Sequence, residues 1–410
     1  MTVGSRGLNS RTAQSILRWT REREPEMLAL LERLVRINSY TANKAGTDAV
    51  GAVLREAMTG LGFGVQVVPQ ADAGDHLIAR CPGARRLAPG QRQVLFCGHM
   101  DTVFPPDSGF DAFVNQGDRV TGPGVIDMKG GLVAGIYALA ALAAHGQLEG
   151  MPVAFVFNSD EETGSYRSRE LIMAEAARSA FAFVFECSGP GGETTTGRKG
   201  KTTLRVRATG RAGHAGNLGH AKPSAVLELA HKTIALEALN DAARGVSVNV
   251  GLVSGGVGPN TVAPRAEATV ECRYRTAADG EALVAAAVAL AGRPEVPGTA
   301  VEVEVVPGRP PMEPGPANRR LLEHVVAAGR ELDVPVAEDY RGGVSDANYI
   351  AQVGTPVLDG LGPGGERDHS PEEYMITSTL AARAALAAVS ARRIWDAMTR
   401  EGRISGGGAA

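Results

Sequence analysis

The chain has 410 residues, enough for two or three domains, and its 44% apolar and 21% charged content is that of a folded, water-soluble protein. A formal net charge of −3 argues against a general nucleic-acid or anionic-membrane surface. The four cysteines, Cys81, Cys97, Cys187 and Cys272, form no Cys-x-x-Cys pair, which excludes a zinc ribbon and a thioredoxin-type site and suits an intracellular protein with reduced thiols.

Between residues 10 and 37, Ile16, Leu17, Met27, Leu28, Leu31, Leu34 and Val35 recur at helical spacing, and Pro25 divides them into two helices. The same stretch is Arg/Glu-rich and lacks an apolar core with a cleavage site, so no signal peptide is expected. A strand over 94–97, a helix over 130–145, a strand over 153–157, a helix over 166–177 and a strand over 181–185 follow. The longest apolar run, 132–144, falls short of the roughly 20 residues that a membrane span needs. A cytoplasmic protein with no membrane and no nucleic-acid partner is the expectation. Alternating strands and helices predict an α/β fold. Near-continuous apolar strands predict a mixed, largely parallel sheet sandwiched by helices.

The character changes near residue 199. Over 201–210, Leu204, Val206 and Ala208 alternate with Arg205, Arg207 and Thr209, as in a half-exposed antiparallel strand. A helix over 224–239, strands over 247–253, 266–274 and 300–306, and a helix over 280–291 complete an α+β insert. The expected organisation is a first domain in two parts, 1–198 and 309–404, interrupted by the insert 199–308. Gly308-Arg309-Pro310-Pro311 is the return hinge, and 405–410 is a disordered tail. After the hinge come a helix over 317–332, a strand over 356–358 and a C-terminal helix over 376–399.

In open α/β sheets, sites gather beyond the carboxyl ends of the strands. His99 and Asp101 follow the apolar run Val94-Leu95-Phe96. Asp127 stands in Gly124-Val125-Ile126-Asp127-Met128-Lys129-Gly130-Gly131. Glu161 and Glu162 follow Val153–Phe157, Glu186 ends Phe181–Phe185, and His369 precedes Ser370-Pro371. Two imidazoles and three carboxylates suffice to hold two divalent metals, zinc by default and cobalt or manganese as substitutes. Asp127 is the candidate bridge, with His99 and Glu186 on one metal and Glu162 and His369 on the other. Two divalent cations are then balanced by three carboxylates and a hydroxide, which avoids net charge in a poorly solvated cleft. The Asp101 carboxylate is placed to accept the second N–H of His99 and fix its tautomer. Glu161, beside a ligand but surplus to coordination, is the expected general base.

Each segment alone has a plainer reading. His-x-Asp is commonly a surface turn, Glu161–Glu162 a solvated helix start after Asp160, Asp127 an N-cap, Glu186 a strand end and His369 a loop histidine. Their order and placement together favour a metal site.

The segments Gly98–Pro105, Gly122–Gly131 and Ser159–Ser165 resemble those of the glutamate carboxypeptidase, aminoacylase and succinyl-diaminopimelate desuccinylase family of co-catalytic di-zinc amide hydrolases. The likeness runs through most of the chain and is strongest to bacterial glutamate carboxypeptidases. It implies a zinc-exopeptidase-like catalytic domain, a smaller lid that dimerises, and a cis peptide after Asp127. It carries the metal ligands to His99, Asp127, Glu162, Glu186 and His369, the base to Glu161 and the imidazole-orienting carboxylate to Asp101. Pro123 departs from the residue common in relatives, with an expected effect on loop stiffness and not on ligation.

By the same resemblance, His214 in Gly213-His214-Ala215-Gly216 reaches the opposite subunit's site as an oxyanion donor. Asn260 helps hold substrate, and Arg273 grips its free carboxylate, with Arg309 as a second candidate. Gly343 and Ser345 lie in a segment near the substrate. Arg273 has the plainer alternative of pairing with Glu271 or Glu267. The implied activity is metal-dependent cleavage of an amide next to a free carboxylate. That describes a carboxypeptidase releasing a residue such as glutamate, or an N-acyl-amino-acid amidohydrolase. An acetylornithine- or succinyl-diaminopimelate-type deacylase and an N-carbamoyl-amino-acid hydrolase are alternatives. A metal-stabilised peptide-binding protein is the non-enzyme alternative. The expected partners are a small peptide or N-acyl-amino-acid substrate and a second copy of the chain.

Overall fold

Apolar strands flanked by apolar helices dictate a covered sheet, and the computed structural model, which describes residues 8–404 except 218–221 and 292, contains one. The expected tail 405–410 lies outside the described residues. The chain divides into two compact units. The first comprises the chain up to Thr196, Pro314–Tyr340 and the chain from Ser345 onward; the second comprises Gly197–Glu313 with Arg341–Val344.

The first unit is built on a six-stranded sheet in the order Gly64–Val68, His76–Arg80, Val153–Asn158, Gln93–His99, Ser179–Val184, Val357–Leu358. The strand Gln93–His99 runs parallel to Val153–Asn158 and Ser179–Val184, and Val357–Leu358 continues that parallel set. Gly64–Val68 and His76–Arg80 form an antiparallel edge. Every residue of Gln93–His99 and Val153–Asn158 is buried, as their lack of a polar face requires. Phe96 packs on Phe155, Phe183 and Phe185 at ring-centroid separations of 5.7, 5.9 and 4.8 Å. The helix Lys129–Ala144 is buried nearly all round between this sheet and the C-terminal helix Thr377–Arg400. At the N-terminus, Asn9 caps Ser10–Glu22, and Pro25 opens the first turn of Glu24–Val35, where its missing N–H costs nothing.

The helix Lys44–Gly60, the two edge strands and the helix Asp346–Gln352 go beyond the expected elements. So does a small sheet in the order Gly365–Glu366, Tyr374–Ile376, Arg119–Thr121, Val114–Asn115. Its first two strands form a hairpin whose loop carries His369.

The second unit is a four-stranded antiparallel sheet, Ser247–Gly255, Arg265–Tyr274, Gly200–Thr209, Ala300–Pro307, covered on one face by Ala225–Glu237 and Ala277–Ala291. Leu204, Val206 and Ala208 face that core. The intervening Arg205 and Arg207 pair with Glu304 on the open face. The unit's two ends meet, with Arg198 and Met312 exchanging main-chain hydrogen bonds of 2.8 and 3.0 Å.

Candidate metal centre

His99 ends its strand level with Asn158, so the turn after Asn158 carries Glu161 and Glu162 to the same sheet edge. Glu186 lies two residues beyond Val184 on the other neighbouring strand. Gly98 has no room for a side chain: a Cβ there would lie 2.6 Å from Leu132 Cδ2 and Met128 Cε. The start of the helix Lys129–Ala144, with the loop before it, therefore packs directly against the strand end. That loop delivers Asp127, and the Asp127–Met128 peptide is cis.

The five side chains converge. His99 Nε2 lies 3.0 Å from Asp127 Oδ1 and 3.7 Å from Glu186 Oε1. His369 Nε2 lies 3.0 Å from Asp127 Oδ2 and 3.2 Å from Glu162 Oε2. Asp127 thus gives one oxygen to each imidazole, which is the disposition a bridging ligand needs. His99 is buried, whereas the His369 side chain is 54% exposed and forms the open side of the cluster.

Charge is unevenly compensated there. Burial disfavours the imidazolium of His99, but Glu186, Asp101 and Asp127 outweigh it and hold the group well above its ordinary pKa. Hydrogen bonds that His369 donates to Asp127 and Glu162 push it up to about 11. Burial pushes Glu186 up to about 8, and burial with the Asp127 charge raises Glu162 as well. Burial also acts to raise Asp127, yet His369 and His99 bring it below the usual carboxylate range. The donor set fits a divalent cation pair. It is made of oxygen and imidazole nitrogen, the ligand atoms of His99, Asp127 and Glu162 lie within 4.8 Å of one another, and the buried Glu162 Oε1 has no hydrogen-bond partner.

Asp101 is fully buried and does more than orient the imidazole. His99 Nδ1 lies 3.0 Å from the Asp101 carbonyl oxygen and 3.4 Å from its Oδ1. The carboxylate accepts from the amides of Glu161 at 3.2 Å and Glu162 at 3.3 Å, and from the Thr41 hydroxyl at 2.7 Å. It therefore also fixes the turn that presents Glu161, whose backbone begins the single helical turn Glu161–Thr163.

Three further residues of this region escaped sequence reasoning. Thr41 is one. Asp368 is another: it is exposed, and its oxygen groups with Asp127 and His369. The third is Glu373, whose carboxylate accepts from the amides of Gly124, Ile126 and Asp127.

Ser345 belongs to the first unit. It caps Asp346–Gln352 in a capping box with Asn348, and its hydroxyl donates to Asp359 at 2.6 Å. The remaining candidates belong to the second unit. The exposed His214 pairs with Thr261 across a short bridge, and Ala215 N donates to the Asn260 carbonyl at 2.9 Å. Those two segments therefore lie side by side. Arg273 donates to Glu271 Oε1 and to the Gly342 carbonyl, each at 2.8 Å. Arg309 is buried, and the Gly343 carbonyl accepts from Arg198 at 3.2 Å.

Residues 95–393 match the model of peptidase family M20/M25/M40. The chain belongs to that family. The matched span includes every candidate metal ligand from His99 to His369. Members of the M20 family are metal-dependent peptidases and related amide hydrolases. The chain is 31% identical over 376 residues to carboxypeptidase G2 of Pseudomonas sp., covering 90% of this chain and 89% of that one. It is 29% identical over 381 residues to succinyl-diaminopimelate desuccinylase of Gluconacetobacter diazotrophicus, covering 87% and 93%. Its fold matches the crystal structure of aminopeptidase PepT from Bacillus cereus with a TM-score of 0.72 at 24% identity, covering 91% and 99%. No described helix is long and apolar enough to cross a membrane.

Proposed function

We propose that this M20-family chain is a co-catalytic di-zinc hydrolase that cleaves an amide next to a free carboxylate, as a carboxypeptidase or N-acyl-amino-acid amidohydrolase. The observation that carries this reading is Asp127 set between two imidazoles at 3.0 Å each, with Glu186 and Glu162 completing the two sides. Asp127 would bridge, His99 and Glu186 would hold one cation, and Glu162 and His369 the other. Zn²⁺ is the default, with Co²⁺ or Mn²⁺ as substitutes. The bound cations supply Lewis acidity that activates water and polarises the scissile carbonyl.

The chain's own groups do the rest. Glu161 takes a proton from the attacking water and passes it to the leaving nitrogen, held in place by the Asp101 grip on its amide. Asp101 and its carbonyl keep the His99 ring oriented. His214, supplied by a second copy of the chain, would donate to the oxyanion, while Asn260, Arg273, Arg309, Gly343 and Ser345 would hold substrate. The cytoplasm is the proposed location, supported by four free cysteines. Likeness to a desuccinylase keeps a dicarboxylic acyl group as the second reading of the substrate.

The test is an amide panel run after chelation and metal re-addition. It contains peptides ending in glutamate, N-acyl amino acids, succinyl-diaminopimelate, acetylornithine and N-carbamoyl amino acids. Activity should return with the metal on one class. Glu161→Gln should retain both metals and lose about 10²- to 10⁴-fold in turnover. Full metal content with no hydrolysis of any amide would favour the binding-protein reading instead.

A further inference from the structure

We propose that Glu373 is a positioning residue that sets the bridging carboxylate by clamping the backbone of the Asp127 loop. The proposal rests on the reading of Asp127 as the metal bridge. Glu373 is fully buried. Its Oε1 accepts from the amides of Ile126 at 2.9 Å and Asp127 at 3.2 Å, and its Oε2 accepts from the amide of Gly124 at 3.0 Å. Both oxygens are therefore engaged, and the carboxylate has one orientation.

The loop needs such a holder because it has no ladder of its own. Gly122 and Gly124 take φ values of 153° and 79°, outside strand and helix geometry. Gly124 is also closely hemmed, since a Cβ there would lie 2.9 Å from Thr102 Cγ2. On the far side of the cis bond, the buried Lys129 donates through Nζ to the Ile37 carbonyl at 3.0 Å. The loop is thus pinned by side chains at both ends, and Glu373 holds the end that bears the ligand.

Glu373 also sits four residues after His369 in the same hairpin loop, and its own amide donates to Ser370 O at 3.0 Å. The strand Tyr374–Ile376 that follows pairs with Arg119–Thr121, just ahead of the Asp127 loop. One side chain therefore ties the segment carrying the bridge to the segment carrying an open-side ligand. It fixes the 3.0 Å approach of Asp127 Oδ2 to His369 Nε2 through backbone amides. A metal pair tolerates ligand displacements of only about 0.5 Å.

The experiment compares full-length wild type with Glu373→Gln and Glu373→Asp. Gln keeps the shape but turns an N–H donor toward one of the three amides. Asp keeps the charge and withdraws it by one methylene. Folding is followed by circular dichroism, zinc affinity by chelator competition, and kcat and KM with and without excess zinc. Folded variants should bind zinc about 10- to 100-fold more weakly, with kcat reduced, KM nearly unchanged and partial recovery in excess zinc. A merely structural role would lower the melting temperature and leave zinc affinity and kcat alone; that outcome in either folded variant overturns the proposal.

Hydrogen exchange on the wild type provides a test that needs no variant. The Gly124, Ile126 and Asp127 amides should be strongly protected before metal is added, and rapid exchange there overturns the clamp. The parent reading fails separately, if Asp127→Ala keeps both metals at wild-type affinity.

Discussion

At the residue scale, protons in the metal-free fold stand where cations would act. His369 is pushed up to about 11 by Asp127 and Glu162, and His99 also stands well above its ordinary value. His369 is therefore protonated at pH 7, His99 is biased the same way, and a ligating imidazole must be neutral. Metal loading should release at least the His369 proton, and more as His99 and the raised carboxyls Glu186 and Glu162 give theirs up. Because proton and metal compete for the same nitrogens, affinity should rise with pH through the neutral range. A pH-indicator titration in weak buffer checks this, and loading at pH 7 without acidification would refute it. The candidate ligands stand out in the sequence because each closes an apolar strand or sits in a Gly-rich or acidic turn. Glu373 was not, since its partners lie nearly 250 positions away in the chain and no local pattern encodes three distant amides. The partner of His99 Nδ1 was legible in part: sequence pointed to the Asp101 side chain, and the shorter contact is to its carbonyl.

At the element scale, the helix Ala225–Glu237 is moored by a buried acid. Glu228 accepts from the amides of Glu295 and Val296, from Thr299 and from the buried ammonium of Lys232 at 3.2 Å. Burial acts to raise its pKa, but those four partners win and hold it below the ordinary glutamate value. The unfolded chain then takes up the proton more readily. The stability Glu228 contributes is present above the ordinary range, about 4.3, and is lost as pH falls through the lower folded value. Glu228→Ala should cost about 3 kcal/mol, because it strands Lys232 in the core. In the full chain this should read as earlier melting with metal content unchanged. Glu228→Gln should flatten the acid response, and an equal acid loss in wild type and variant would discount the mooring. Strands such as Val153–Asn158 were legible because both faces are apolar. The helix Lys44–Gly60 was not, since Thr47 and Gly51 occupy its buried face and thin the apolar stripe. The edge strand Gly64–Val68 is only half-buried and carries little hydrophobic signal.

At the scale of the whole molecule, the second unit leaves an apolar surface uncovered. Leu252 and Val253 on the edge strand Ser247–Gly255 are 68% and 62% exposed, and Ile234 on the adjoining helix is 72% exposed. A strand edge that no described residue pairs, bearing such side chains, suits a partner, and a second copy is the proposed one. Leu252→Asp with Ile234→Asp should yield a monomer that keeps its metals and loses turnover. Mixing His214→Ala with Glu161→Ala protein should rescue activity in hybrid dimers; no rescue despite proven subunit exchange would confine His214 to its own chain. The switch to alternating polarity near residue 199 lies close to Gly197, where the second unit begins. The return of Arg341–Val344 to the second unit was not, since four residues carry no period. The meeting of Arg198 with Met312 has a consequence for biosynthesis. A ribosome releases His99, Asp127, Glu162 and Glu186 long before His369, with the entire insert between. Once that insert folds, its paired ends take more than a hundred residues out of the loop between Glu186 and His369, which lowers the entropic cost of bringing the last candidate ligand in. Until that late stage the nascent chain holds an incomplete set of the proposed cation ligands, so any activity that depends on them would wait until synthesis is nearly done.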